Sequence, residues 1–191
     1  MMAMRCTIPP KDAAATAARG HRASIPVIDT ERLRLRPPSL EDLPAWTEIY
    51  REEGPFLGGA TTPEDAWTEF SYYTACWMLH GHGLWSVETR ATGTLVGFVH
   101  IGIEWEDEEP ELGYLFTAAA RGQGYATEAA TAARDWGLRL LPEFVSYVNR
   151  DNTASNRLAE RMGATRDLAA EANITAAEGD SPHVWRHGRT T

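Results

Sequence analysis

Two cysteines in 191 residues, Cys6 and Cys76, cannot build a disulfide framework. Their scarcity points to a reducing setting, and the expected location is cytoplasmic. No apolar run reaches the roughly 18 residues of a membrane-spanning helix, so no membrane partner is expected. Positive charge is also scarce: 18 Lys and Arg face 27 Asp and Glu, a formal net charge of −9. A general nucleic-acid binder needs a basic face to neutralise phosphates, and that class is set aside. No Gly-Lys-Ser or Gly-Lys-Thr occurs, which removes the P-loop. What remains is 43% apolar and 24% charged residues at single-domain length, the balance of an ordinary globular domain. Seven Trp among eighteen aromatics supply large side chains for a core or a pocket.

The first two dozen residues differ from the rest. Arg5, Lys11, Arg19 and Arg22 against Asp12 give segment 1–22 a net charge of +3, so the remainder carries −12. The small residues Ala13 to Ala15, Ala17 and Ala18 offer little core-forming bulk. Residues 1–24 are therefore expected to form a flexible extension, and 25–191 the folded domain. The apolar stretch of about 7–15 residues that marks a secretory signal is missing, while the basic, acid-poor composition still suits a transit peptide.

Leu33, Leu35 and Pro37 alternate with Arg32, Arg34 and Arg36, which predicts a half-buried strand. Ser39 before Leu40-Glu41-Asp42 predicts a helix to about Tyr50. A loop follows over 54–62. Thr62-Pro63 opens a second helix that ends near His80, before Gly81-His82-Gly83. Leu84 to Glu88 and Thr94 to Ile103 read as a hairpin, and Leu112 to Phe116 as a third strand. After Gly122-Gln123-Gly124 a helix runs to about Leu140, with Ala126, Ala129, Ala130 and Ala133 on a small-residue face. Phe144 to Val148 reads as a strand, Ser155 to Met162 as a short helix, and His183 to Arg186 as a last strand. Strand, helix, strand from 112 to 148 implies a parallel pair, and the hairpin implies antiparallel neighbours. A mixed α/β sheet with helices on both faces results.

Chemistry concentrates at Arg121-Gly122-Gln123-Gly124-Tyr125-Ala126, between a strand and a helix. Two glycines let the backbone turn tightly and approach a ligand, and the helix start offers unpaired N–H groups with the positive end of its dipole. That combination suits phosphate, or else the loop merely turns the chain from strand to helix. A dinucleotide fingerprint fails, because Thr127 stands in the third glycine place and no acid ends a strand about 20 residues on.

At this point the sequence resembles the GNAT family of acyl-CoA-dependent N-acetyltransferases. Its pyrophosphate loop, Arg/Gln-x-x-Gly-x-Gly/Ala, is matched by Arg121, Gly124 and Ala126. The strand Glu111-Leu112-Gly113-Tyr114-Leu115-Phe116 and the Thr127-Glu128-Ala129-Ala130 continuation are similar too. Asn152-Thr153-Ala154-Ser155-Asn156-Arg157-Leu158-Ala159-Glu160-Arg161-Met162-Gly163 resembles the second cofactor segment. Arg32 to Pro37 and Trp185-Arg186-His187 resemble the RimJ/RimL branch, whose best-known members acetylate protein N-termini. The resemblance covers about residues 28–188.

It implies the GNAT fold, a mixed central sheet with a splay between the parallel strands at 112–116 and 144–148. Acetyl-CoA would lie in that splay as cosubstrate, with no metal. Its pantetheine would pair near Phe116 and Thr117, and its pyrophosphate would sit on the N–H groups of Gly122, Gln123, Gly124, Tyr125, Ala126 and Thr127. Arg121 would add charge, Asn152 would contact the pantetheine arm, and Asn156 belongs to the same segment. The implied acceptor is a small-molecule or peptide amine, and homodimers are common in the branch. Glu111 is the candidate base, or else one more solvated acid. Ser155 is the candidate proton donor to the departing thiolate, or an N-cap of its helix. The family's usual tyrosine acid would fall at Ala159, so no tyrosine carries over. That gap leaves a second class open, an acyl-CoA-binding sensor without turnover.

Other residues are weaker candidates. Cys76, His80 and His82 lack a second cluster to complete a metal site. His100 in an apolar strand reads first as a satisfied core or pocket histidine, and Trp67, Tyr72 and Tyr73 as core before pocket. Glu104, Glu106, Asp107, Glu108, Glu109 and Glu111 crowd together without a basic residue among them, which predicts a cationic acceptor if the loop borders the site.

Overall fold

The alternation at Leu33 and Leu35 does what it predicts: both side chains are fully buried, in the second strand of an eight-stranded sheet. The structure, a computed structural model, describes residues 4–53, 62–105, 107–178 and 182–188. The loop expected at 54–61 and Glu106 lie outside them. The strands are β1 (Ile28–Asp29), β2 (Leu33–Arg36), β3 (Leu84–Thr89), β4 (Leu95–Gly102), β5 (Glu111–Phe116), β6 (Glu143–Val148), β7 (Thr165–Arg166) and β8 (His183–Gly188). The helices are α1 (Asp12–Arg22), α2 (Leu43–Glu53), α3 (Pro63–Leu79), α4 (Tyr125–Gly137), α5 (Thr153–Arg161) and α6 (Leu168–Glu178). Sheet order is β1-β2-β3-β4-β5-β6-β8-β7, antiparallel except for β5 and β6. The mixed sheet and its parallel pair agree with the expected fold.

Period-two alternation sends residues of one strand to two different cores. Trp85, Val99, Ile101 and Leu112 face α4, whose Ala129, Ala130 and Ala133 are fully buried. The small residues let the helix axis approach the sheet closely. Leu84 and Phe98 face the other way, against Trp46 and Ile49 of α2 and Phe70 and Tyr73 of α3. Trp46 is the hub there, in edge contact with Phe98 at 5.1 Å and donating from its indole to the Ala66 carbonyl at 2.8 Å.

The helix starts are built as their residues predict, with one adjustment. Thr62 and Asp65 close a capping box on α3, with Pro63 in the first turn. Ser39 and Asp42 close another, but on a short 3-10 turn, Leu40–Asp42, that leads into α2. Asp42 has a second task that holds it there: it takes two 2.8 Å hydrogen bonds from Arg36 and one from Ser86. The short helix after β6 corrects the cap expected of Ser155. Asn152 caps α5, its side-chain oxygen accepting from the Ser155 N–H at 3.1 Å.

Four elements lack a counterpart in the sequence reading: the two-residue strand β1, α1, β7 and α6. α1 forms within the basic extension, although none of its residues is buried. β7 is a two-residue edge, and α6 is Ala-rich with weak amphipathicity. Its local start signals are Asp167, which accepts from the Ala170 N–H at 3.0 Å, and Glu171 in the first turn.

Candidate active site

β5 and β6 run parallel but share only one register pair, Glu111 with Val145. Val145 N–H reaches the Pro110 carbonyl at 3.0 Å, and beyond that point the backbones part. Side chains take over the unmatched groups. The Ser146 hydroxyl donates to the Leu112 carbonyl at 2.7 Å, and the Tyr147 N–H donates to the Glu111 carboxylate at 3.3 Å. A buried N–H must find an acceptor, and here the carboxylate supplies it. The splay expected between these strands is present.

A cavity of about 390 Å³ opens at this point. Residues from six segments line it, among them Trp46 and Tyr50 of α2, Glu69 and Tyr73 of α3, His100 and Glu104, Glu111 to Leu115, Ser146 to Asn149, and Asn152 and Ser155. Glu111, Asn152 and Ser155 of the predicted residues are thus brought together. Burial, and then the charges of Asp107 and Glu104, push the Glu111 carboxyl up to about 8. Its hydrogen bond from Tyr147 works the other way and does not prevail. Ser155 presents its carbonyl to the Tyr114 hydroxyl at 3.2 Å. Burial raises the Tyr114 phenol to about 12, so it stays a neutral donor. Ala159, where the family's tyrosine acid was sought, is buried beside Val148 and Trp185.

The other predicted residues lie elsewhere. Asn156 spends its amide on the Asn149 and Asn152 carbonyls, and its oxygen on His183 and Trp185. It braces the turn before α5 and does not line the cavity. Phe116, Thr117, Arg121, Gly122, Gln123, Gly124, Tyr125, Ala126 and Thr127 form the opposite end of β5 and the start of α4. Gly122 and Gly124 hold φ of +75° and +77°, a region that favours glycine. A Cβ at Gly122 would meet nothing within 4 Å, so its surface is open to an incoming group. Among the described residues no side chain caps α4, which leaves its first N–H groups to a ligand or water. These features fit a phosphate group.

Sequence reading missed several contributors. Arg32 sits against the glycine loop, donating to the Gln123 carbonyl at 2.9 Å and to Glu128 at 2.7 Å, with its guanidinium 4.9 Å from the Tyr125 ring centre. Glu69 was not singled out. Burial and the Glu104 charge push it up to about 7. Tyr73 is at once core and cavity wall, and its hydroxyl donates to Glu104. His100 corrects the expectation of a satisfied histidine. Its ring stacks on Tyr73 at 3.9 Å, but its Nε2 has no hydrogen-bond partner among the described residues. The acidic loop is split. Glu109 is tied to Arg186 at 2.7 and 2.8 Å, while Glu104 turns to the cavity. Among the described residues no three His, Cys, Asp or Glu side chains group as metal ligands.

Comparison with known proteins agrees with this architecture. An acetyltransferase from Agrobacterium tumefaciens str. C58 has a crystal structure similar at TM-score 0.78, with 35% identity, over 87% of this chain and 96% of its own. The RimL ribosomal L7/L12 alpha-N-protein acetyltransferase, solved in complex with coenzyme A, shares the fold at TM-score 0.64 and 19% identity, over 86% of this chain and 97% of its own. The uncharacterised Bacillus subtilis (strain 168) protein YkkB is 34% identical over 88 residues, 44% of this chain, and the chain spans 51% of that relative's length. The acetyltransferase (GNAT) domain family matches residues 32–165, from β2 through the splay, the glycine loop and α5 to β7. The chain belongs to the GNAT acetyltransferase family.

Proposed function

We propose that the protein acetylates a primary amine, with acetyl-CoA as the acetyl donor. Bound acetyl-CoA supplies an acetyl thioester. This chain's residues hold the donor, receive the amine and move protons. The N–H groups from Gly122 to Thr127 at the α4 start would hold the pyrophosphate, with Arg121 and Arg32 adding positive charge. The split between β5 and β6 would admit the pantetheine arm, beside Phe116 and Thr117 at one end and Asn152 at the other.

An alkylammonium must lose a proton before it attacks. Glu111 would take it. A carboxyl raised to about 8 binds a proton far more strongly than an ordinary carboxylate, which brings it near the amine's own basicity. Ser155, which lines the same cavity, would give a proton to the departing thiolate. The observation that carries this reading is Glu111 itself, a strongly perturbed carboxyl at the parting of two parallel strands, in a cavity shared with Ser155. The acceptor is a small cationic amine or a peptide amine. Thiol release from acetyl-CoA, followed with and without an amine panel, tests the reading. Amine-dependent release supports it. Thermal stabilisation by acetyl-CoA without thiol release from any amine would assign a binding module instead.

A further inference from the structure

Among the described residues, those that line the cavity include three carboxylates and no Lys or Arg. Glu69 of α3, Glu104 after β4 and Glu111 of β5 border the same space. One carboxylate suffices to take a proton from an amine, so two are left over. Tyr73 donates its hydroxyl to Glu104, and the three acids repel one another. That repulsion, added to burial, contributes to the raised proton affinity of Glu69 and Glu111. A ligand cation would relieve it.

His100 is a second and independent observation. It is 6% exposed, lines the same cavity, and keeps Nε2 without a hydrogen-bond partner among the described residues. Gly113 leaves just enough room for the ring, since a Cβ there would lie 2.4 Å from Nε2. Burial pulls the imidazole down to about 3, so it is neutral and does not repel a cation. A buried polar atom without a partner calls for an explanation, and a ligand group entering the cavity that His100 lines is one.

We propose that the acceptor is a small alkyl diamine or polyamine: one nitrogen is acetylated beside Glu111, and a second, protonated nitrogen is held by Glu69 and Glu104 between Tyr50 and Tyr73, within reach of His100. This rests on the transferase reading above and names its substrate class. Aromatic faces beside paired carboxylates suit an ammonium. A peptide amine would bring a neutral amide to the place where two further acids stand. The cavity volume of about 390 Å³ also lies toward the small end of the roughly 300–1,000 Å³ range of small-molecule sites. In the transfer, the reacting ammonium gives one proton to Glu111, and its nitrogen bonds the acetyl carbon. The carbon–sulfur bond breaks, the nitrogen's second proton reaches the thiolate by way of Ser155, and Glu111 returns its proton to water. The second ammonium is unchanged.

The test compares 1,4-diaminobutane with 1-aminobutane and with a short peptide bearing a free α-amine, by thiol release from acetyl-CoA. The diamine should exceed both by about tenfold or more in kcat/KM. Glu69→Gln should cut the diamine-over-monoamine ratio about tenfold, through KM rather than kcat. Glu104→Gln, at an exposed position, should lower the same ratio if Glu69→Gln fails to fold. Without acetyl-CoA, 1,4-diaminobutane should raise the Tm of wild type more than that of the variant. Equal kcat/KM for diamine and monoamine, a preferred peptide, or an unchanged ratio in both variants would overturn the diamine assignment while leaving the transferase reading intact. No thiol release with any amine would remove both.

Discussion

The two ends of β5 do opposite kinds of work. At Phe116 the strand runs into a glycine loop whose features are backbone features: positive φ at Gly122 and Gly124, and a helix start without a side-chain cap. The loop is exposed and owes little to the core. At Glu111 the strand enters a cavity walled by side chains from six segments, where burial and mutual repulsion shift Glu69 and Glu111 by units of pH. A backbone cradle needs only local spacing and accepts any ligand with a phosphate. A side-chain cavity needs the whole fold, and under the proposed function it is where one amine would be told from another.

If that division holds, Glu111→Gln should have the largest effect. Loss of a general base typically costs about 10²- to 10⁴-fold. Because Glu111 must be ionised to act, wild-type kcat/KM for an amine should rise with pH and level off above about 8. The variant should lose that limb along with most of its rate. A pH–rate profile of both proteins decides it, and near-normal activity would move the chemistry away from this end.

Stability should respond in the opposite sense. In the unfolded chain Glu111 ionises near the ordinary carboxyl value of about 4.5, but in the fold it holds its proton to about 8. The native state therefore loses stability as pH rises between those values. Glu111→Gln should raise Tm at pH 8 relative to wild type, and the difference should shrink toward pH 5. A lower Tm at pH 8 would mean that the carboxylate is stabilised by partners rather than strained by neighbours.

Gly124→Val probes the backbone end. Valine strains badly at φ +77°, and its side chain would crowd the mouth of α4. Wild type should gain thermal stability from acetyl-CoA, about 2.7 kcal/mol at a hundredfold excess over Kd. The variant should gain little. An equal gain would show that the loop does not hold the donor.

Smaller effects separate the paired roles around α5. Asn152→Ala should cost about 0.5–2 kcal/mol of stability, because it removes the cap. Ser155→Ala should leave stability nearly unchanged and lower kcat, with acetyl-CoA affinity altered only a few-fold. Normal kcat in the serine variant would reject it as the proton donor. Smallest of all, deletion of residues 1–22 should leave Tm within a degree or two, since α1 buries no residue. A large drop would place the helix in a contact with another molecule.

Much of the frame was readable from residues alone because its causes are local. Alternating Leu33 and Leu35, the Thr62-Pro63 start, the Ala face of α4 and the glycine pair each encode a short-range preference that the fold keeps. Where the reading went astray, the competing cause was nonlocal. Asp42 closes a box and also answers Arg36 at the end of β2 and Ser86 on the distant strand β3. α6 has weak amphipathicity, so little in its own spacing announces it.

The site divides along the same line. Sequence by itself determined a glycine loop at a helix start, and the family resemblance it carries named Glu111, Asn152 and Ser155 as candidates, since both motifs lie in continuous stretches. It could not show that Glu69 and Tyr73, some forty residues earlier, face Glu111, nor that His100 is packed against Gly113 without a partner for Nε2. Those relations exist only once α3 is laid on the sheet and β5 parts from β6. A carboxylate's proton affinity is set by what surrounds it in space, and only the tertiary structure supplies those surroundings.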